Sequence, residues 1–286
     1  MIANIYPDAY VQGHDWIKDA NLAALMKTTF RKPSIQCGQI LDIGCGTGDF
    51  TSDVLLPRHH SCSKIVAVDV SSTMVDYARK NHGHSRICYE VHDITSPDVS
   101  LFLNKHGKCD RIYSFFCLHW VRDQEVAFRN IGRLLKEDGE CLLLFLAPFC
   151  LYEVWLEMAG LERWKDIIGD PKELFPDIWH HDPSPSLSDL ENSLRKLIVD
   201  AGMKTLACDV YSTEAYYSSL ADVLALLVPI VLVKSGTSEE ETLCMRSELS
   251  SMLMKKSKMT PPGWSVPVDL FLFHTQKVLR DDPTDV

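Results

Sequence analysis

Residues 39–48 read Gln-Ile-Leu-Asp-Ile-Gly-Cys-Gly-Thr-Gly, a short apolar strand running straight into glycines at alternate positions. Gly44, Gly46 and Gly48 strip the backbone of side chains where a strand must turn into a helix. Such a turn belongs to a parallel α/β sheet and lets the backbone approach a bound ligand closely. A second apolar run, Lys64-Ile-Val-Ala-Val-Asp69, follows after a helix-length gap and ends on a carboxylate. A glycine turn followed by a strand-terminal acid is how these sheets grip a ribose.

The alternation continues along the chain. Further strands are expected at about 87–91, 111–116 and 141–146, the last a continuous apolar run suited to a sheet covered on both faces. Helices are expected over 12–30, from Gly48 to just before Pro57, from Ser71 or Ser72 to about Lys80, and over 123–135. This order implies α/β architecture with a doubly wound, mostly parallel sheet. Beyond residue 148 the character changes. Aromatic residues recur at helical spacing through 149–168, and prolines punctuate 171–185. A helix over 188–201 ends at Gly202, a strand covers 205–211, and helices cover 221–232 and 239–255. Pro261-Pro262-Gly263 is a turn before a final strand at 268–278. We expect one domain over 1–286, with a ligand-binding core at 35–147 and a mostly helical cap from 148–203 and 214–262.

A chain of 286 residues can bury one large core. Its net charge of −10 argues against a dedicated nucleic-acid-binding face. Ten cysteines include no Cys-x-x-Cys pair, so neither a zinc site nor a dithiol redox motif is indicated and no metal is expected. Met1–Ala20 lacks the positive-then-apolar pattern of a signal peptide, and no apolar run reaches the roughly 18–20 residues of a membrane span. Reduced cysteines and a cytoplasmic location are the expectation.

The glycines are spaced Gly-x-Gly-x-Gly, one residue tighter than the Gly-x-Gly-x-x-Gly that seats a pyrophosphate in dehydrogenases. The tighter form suits a ligand without a diphosphate, of which S-adenosylmethionine is an example; a turn serving packing alone is the alternative. Asp69 is placed to accept both ribose hydroxyls, or else is an acid favoured by the following helix dipole. Asp93, after the third strand, can accept an adenine amino proton while Ile94 covers the base; a solvated loop acid is the plainer reading. Tyr113–Trp120 leaves the fourth strand at its carboxyl end, where doubly wound sheets hold their ligands. There Trp120 offers an apolar face with one N–H donor, and His119 is either a general base or a structural histidine. The stretches 149–164 and 224–233 are either core or an apolar acceptor pocket. Val11–Asp15 reads, on composition, as a solvated helix start.

Together the glycine turn, Asp69 and the Asp93-Ile94 pair resemble the class I S-adenosylmethionine-dependent methyltransferases over about residues 35–147. Ser114-Phe-Phe-Cys-Leu-His-Trp-Val-Arg-Asp-Gln124, Gly139-Glu-Cys-Leu-Leu-Leu-Phe-Leu146 and the Asp69–His82 segment narrow the likeness to the juvenile hormone acid O-methyltransferases of arthropods. The resemblance implies a seven-stranded sheet with the last strand antiparallel. It implies S-adenosylmethionine held by Asp42, Gly44, Cys45, Gly46, Gly48, Asp69, Val70, Met74, Asp93, Ile94 and Phe115. Gln12 and Trp120 match residues that the family uses on the substrate carboxylate. Gly13 departs from the longer polar residue usual beside that glutamine. Trp16, Phe116, Phe149 and Tyr152 complete the expected acceptor contacts, with His119 as a further catalytic candidate. The implied reaction is methyl esterification of a small apolar carboxylic acid, farnesoic acid or a juvenile hormone acid, by a monomer or homodimer. Another carboxylic or phenolic acceptor, a nicotinamide-dependent oxidoreductase and a non-catalytic lipid-binding relative remain as alternatives.

Overall fold

The computed structural model describes Pro7, Tyr10, Val11 and residues 15–181 and 183–278. It opens with helix α1 (Asp15–Lys27), followed by β1 (Gln39–Ile43) and the glycine turn. A helix over 49–58 (α2) comes next, then β2 (Lys64–Asp69), α3 (Ser72–Asn81) and β3 (Ile87–Val91). The core is completed by α4 (Ser100–His106), β4 (Cys109–Phe115), α5 (Gln124–Leu134) and β5 (Leu135–Leu146). Then follow α6 (Cys150–Ala159), α7 (Leu187–Asp200), β6 (Met203–Tyr217), α8 (Leu220–Leu227), α9 (Glu239–Lys256), β7 (Lys258–Thr260) and β8 (Gly263–Lys277).

The strands form one sheet in the order β3-β2-β1-β4-β5-β8-β6, with β7 paired to β8. β1 to β5 run parallel, and β8 lies antiparallel between β5 and β6. Burial follows the apolar runs: Ile40, Leu41, Ile65, Val66, Ile112 and Leu142 are fully covered. Helix starts follow their capping residues. Ser71 accepts the Met74 N–H, Asp123 accepts the Val126 N–H, and Ser186 and Ser238 build reciprocal capping boxes with Asp189 and Glu241. At the end of the sheet away from the glycine turn, Glu140 accepts the Arg31 and Lys32 N–H groups and His274 Nε2, tying the 28–36 segment down.

Several elements differ from the sequence reading, for local reasons. The sheet has eight strands rather than seven, because Lys258–Thr260 folds back on β8 across the Pro261-Pro262 turn. α2 runs past Pro57 instead of stopping before it. Proline crowds the carbonyl four residues earlier; that carbonyl, of Asp53, lies in a wider π-wound turn over Thr51–Leu55. β6 and β8 each run 15 residues, well beyond the apolar segments that marked them. β6 carries polar, exposed or half-buried residues through Ser212–Glu214 that hide a strand from any search for continuous hydrophobicity. The expected cap boundary at 214 therefore falls inside β6. The aromatic segment after 149 is helical only to Ala159, where Gly160 ends it. Among the described residues no helix is long and apolar enough to cross a membrane, and no His, Cys, Asp and Glu cluster could hold a metal ion.

Candidate active site

The carboxyl ends of β1, β2 and β4 converge on the glycine turn. Gly44, Gly46 and Gly48 all have positive φ, at 76°, 53° and 81°, a region that costs residues with a Cβ about 1–2 kcal/mol. Close packing makes the same demand. A Cβ on Gly44 would stand 2.4 Å from Cys117 Cβ, and one on Gly48 would stand 2.7 Å from Ala78 Cβ. The turn is hung from β2, since the Gly44 and Cys45 N–H groups both donate to the Val68 carbonyl at 2.8 and 3.0 Å. Asp69 braces it, accepting the Gly46 N–H at 3.0 Å on one oxygen and the Ser71 N–H at 2.9 Å on the other. Each carboxylate oxygen has a second lone pair, so acceptor capacity remains for a ligand hydroxyl.

This cleft is acidic. Asp42 is buried and accepts the Thr51 hydroxyl at 2.6 Å. Burial first, opposed by that hydrogen bond and assisted by Asp69 and Asp49, pushes its pKa up to about 7. Burial likewise raises Asp69, against the pull of its backbone donors. Asp49 pairs with Lys18 of α1 at 2.6 Å and so docks that helix over the cleft. Asp42, Gly44, Cys45, Asp49 and Phe115 line a space of about 370 Å³ together with Tyr10, Ile17, Lys18, Asn21 and Phe50. Of the other expected cofactor residues, Met74 and Ile94 are buried, Val70 is exposed, and Asp93 accepts both the backbone N–H and the hydroxyl of Thr95. These four stand after β2 and β3 rather than in the lining of the cleft.

Beside the cleft lies a second cavity. The exit of β4 builds one wall. Phe116 takes φ of 50° and donates its N–H to the Leu144 carbonyl at 2.7 Å, so the chain bends sharply after the strand. Backbone outliers of this kind cluster at functional sites. The bend carries His119 and Trp120 onto the cavity on a short 3-10 turn, with Leu146, Phe149 and Cys150 beside them. Tyr10, Trp16 and Ile17 close one side, Ala215, Tyr217, Val266 and Val268 of the β6–β8 ribbon another, and Leu226, Leu227 and Ile230 the cap side. Among the described residues no charged side chain lines it. Tyr10 and Ile17 border both spaces, so the cleft and the cavity share a wall.

Aromatic packing fixes this wall. Trp16 meets Phe116 edge-on at 5.1 Å, and Trp120 meets Phe149 edge-on at 6.0 Å and Phe175 at 5.5 Å. His119 is 2 % exposed, and burial lowers its pKa to about 3, so the ring is neutral near neutrality. A ring that resists protonation so strongly is poorly suited to act as a general base. Its Nδ1 has no hydrogen-bond partner, nor has the buried Trp16 indole N–H, which bears on the Tyr217 hydroxyl without completing a bond.

Trp16, Phe116, His119, Trp120 and Phe149 thus line one cavity. Tyr152 does not: its ring packs on Phe175 and Trp179, and its hydroxyl meets the Trp179 carbonyl and His180 Nδ1, away from the cavity lining. Gln12 lies outside the described residues. Tyr10, Ile17, Tyr217 and Val266 were not anticipated. Nothing local marks them, whereas the apolar run at 224–233 did signal Leu226, Leu227 and Ile230.

A family profile described as a methyltransferase domain matches residues 41–143. The juvenile hormone acid O-methyltransferase of Bombyx mori is 34% identical over 188 residues, 65% of this chain and 63% of that protein. Its Drosophila melanogaster counterpart is 35% identical over 148 residues, 51% of this chain and 49% of that protein. The matches therefore span less than two thirds of either relative. Among solved structures, a putative methyltransferase from Bacillus halodurans superposes with a TM-score of 0.54 at 16% identity, covering 91% of this chain and all of that one. That likeness concerns the fold. Residues 41–143 thus match a methyltransferase domain, and the chain has the class I methyltransferase fold.

Proposed function

We propose that this protein is an S-adenosylmethionine-dependent carboxyl O-methyltransferase that esterifies an apolar monocarboxylic acid, with a farnesoid acid as its favoured substrate. The observation carrying this reading is the uncharged, aromatic cavity that shares Tyr10 and Ile17 with the acidic cleft at the glycine turn. A donor in one and an acceptor in the other would meet at the Phe115–Trp120 bend.

The residues of the cleft fit the donor. Gly44 and Gly48 leave bare backbone where a Cβ would collide with Cys117 and Ala78, and Asp69 retains lone pairs for ribose hydroxyls. Asp49, joined by Asp42 as it ionises through about pH 7, gives the site negative charge suited to a cationic ligand. When bound, S-adenosylmethionine supplies an electrophilic methyl group on a sulfonium. Asp93 and Ile94 would serve its base.

The rest of the work falls to the cavity. A carboxylic acid is ionised near neutrality, so its oxygen is a nucleophile without help from a base, in keeping with a His119 that stays neutral. The wall excludes water and orients the acid beside the cleft, the main routes to acceleration for such a transfer. Apolar burial holds the tail at roughly 0.8 kcal/mol per CH₂. Trp120, and Gln12 by resemblance, would hold the carboxylate with neutral donors that place it without quenching it. The names of the Bombyx and Drosophila relatives support an acid of the juvenile hormone type.

The test is incubation with methyl-labelled S-adenosylmethionine and a panel of terpenoid acids, fatty acids and phenols. Base-labile methyl esters of apolar monoacids are expected. Label appearing only on phenols, or on no acceptor in the panel, overturns the reading.

A further inference from the structure

We propose that His119 binds the acceptor's carboxylate directly, donating a hydrogen bond from Nε2 in a neutral tautomer imposed by the fold. The proposal rests on the carboxyl-methylation reading above and assigns a substrate-binding residue within it.

Three aromatic rings fence the imidazole: Trp120 at 4.7 Å, Phe116 at 6.2 Å and Phe149 at 6.2 Å. The turn beneath it is pinned by buried Gln124, whose amide donates to the Leu118 carbonyl at 2.9 Å. In this packing the two ring nitrogens have different fates. Nδ1 is sealed in the protein and meets neither donor nor acceptor. Nε2 is left as the nitrogen available to the cavity that His119 lines.

The proton must sit on one of them. On Nδ1 it would bury an unsatisfied N–H and turn a lone pair toward the cavity, where it would repel an anionic oxygen. On Nε2 it leaves only a lone pair unsatisfied in the interior and presents an N–H to the cavity. Buried orphan N–H groups are rarer than under-used acceptors. The second arrangement is therefore favoured, and its donor suits a carboxylate. The burial that lowers the basicity of the ring keeps this donor uncharged. A cationic partner would stabilise the ground-state anion more strongly and hold back the nucleophile; among the described residues no lysine or arginine lines the cavity.

Glutamine and asparagine separate the two nitrogens. A glutamine amide reaches the position of Nε2, whereas an asparagine amide reaches that of Nδ1. We would measure binding of farnesoic acid and of its methyl ester by calorimetry, with S-adenosylhomocysteine present, in the wild type and in His119→Leu, His119→Gln and His119→Asn. His119→Leu should weaken the acid by about tenfold or more while leaving the ester and S-adenosylhomocysteine within about twofold. His119→Gln should recover most of the loss and His119→Asn should not. ¹⁵N-detected imidazole resonances of the wild type should report the Nε2–H form. Unchanged acid affinity in His119→Leu, parallel losses for acid and ester, recovery by asparagine alone, or an Nδ1–H signal overturns the proposal. A wild type that esterifies no acid overturns the underlying reading instead, whatever the variants do.

Discussion

Gly44→Ala would drive a methyl group into the point where the glycine turn touches the exit of β4. The added Cβ lies 2.4 Å from Cys117 Cβ and 2.5 Å from its Sγ, against the ordinary carbon contact of about 3.5–4.0 Å. More than an ångström must be made up, and a Cβ cannot swing aside without moving its backbone. Overpacking of this kind costs about 1–3 kcal/mol. The left-handed φ of 76° at this position adds about 1–2 kcal/mol. The sum is about 2–5 kcal/mol, or a fall in Tm of about 4–10 °C at roughly 2 °C per kcal/mol for a chain of this size. Cys117→Gly in the same molecule removes both colliding atoms and should restore the steric part while leaving the φ part. A double-mutant cycle by thermal or urea unfolding should therefore show a favourable coupling of about 1–3 kcal/mol. Strict additivity, within about 0.5 kcal/mol, would mean that the turn and the β4 exit do not touch as described. S-adenosylhomocysteine binding, followed on the same samples, should fall with the steric term and return with it.

Asp69→Asn replaces one acceptor oxygen with an amide that must face the Gly46 or Ser71 N–H, so S-adenosylhomocysteine affinity by calorimetry should fall about tenfold or more; an unchanged affinity would remove Asp69 from the ribose role. Asp42 has its folded pKa raised to about 7, so the stability it confers is present below about pH 4 and is lost as the pH rises through 7. Asp42→Asn should erase that loss, on the order of 4 kcal/mol, so the variant gains on the wild type between pH 4.5 and pH 8 in urea unfolding; a constant difference would show that Asp42 is ionised throughout. Trp120→Phe keeps the ring against Phe149 and Phe175 but deletes the N–H. Esterification should fall about tenfold or more in kcat/KM with S-adenosylhomocysteine binding held within about twofold, and equal losses in both would assign Trp120 to packing alone.

The cofactor half of the site was legible because its signals are local. A glycine that must adopt positive φ, a strand that ends on an acid and a serine that caps the next helix each act through neighbours in the chain. β1, β2 and β3 accordingly match the strands expected from the sequence residue for residue. Position at the carboxyl end of the fourth strand singled out His119 and Trp120, and resemblance added a carboxylate role for Trp120. Legibility failed where pattern and burial part company. β6 mixes exposed and half-buried residues with no continuous apolar run and so hid both of its ends, and Tyr152 sits on an aromatic stretch whose helix turns it toward Trp179 instead of the cavity.

Sequence by itself determined the order of strands and helices, the glycine turn and the acid that braces it, because hydrophobic period and backbone freedom are properties of short segments. Only the tertiary structure decided that Tyr10, Phe116, Tyr217, Ile230 and Val268 enclose one cavity, that Tyr10 and Ile17 join it to the cleft, and that His119 is neutral while Asp42 holds its proton to about pH 7. Enclosure and desolvation are sums over residues scattered along the whole chain, and no segment carries them alone.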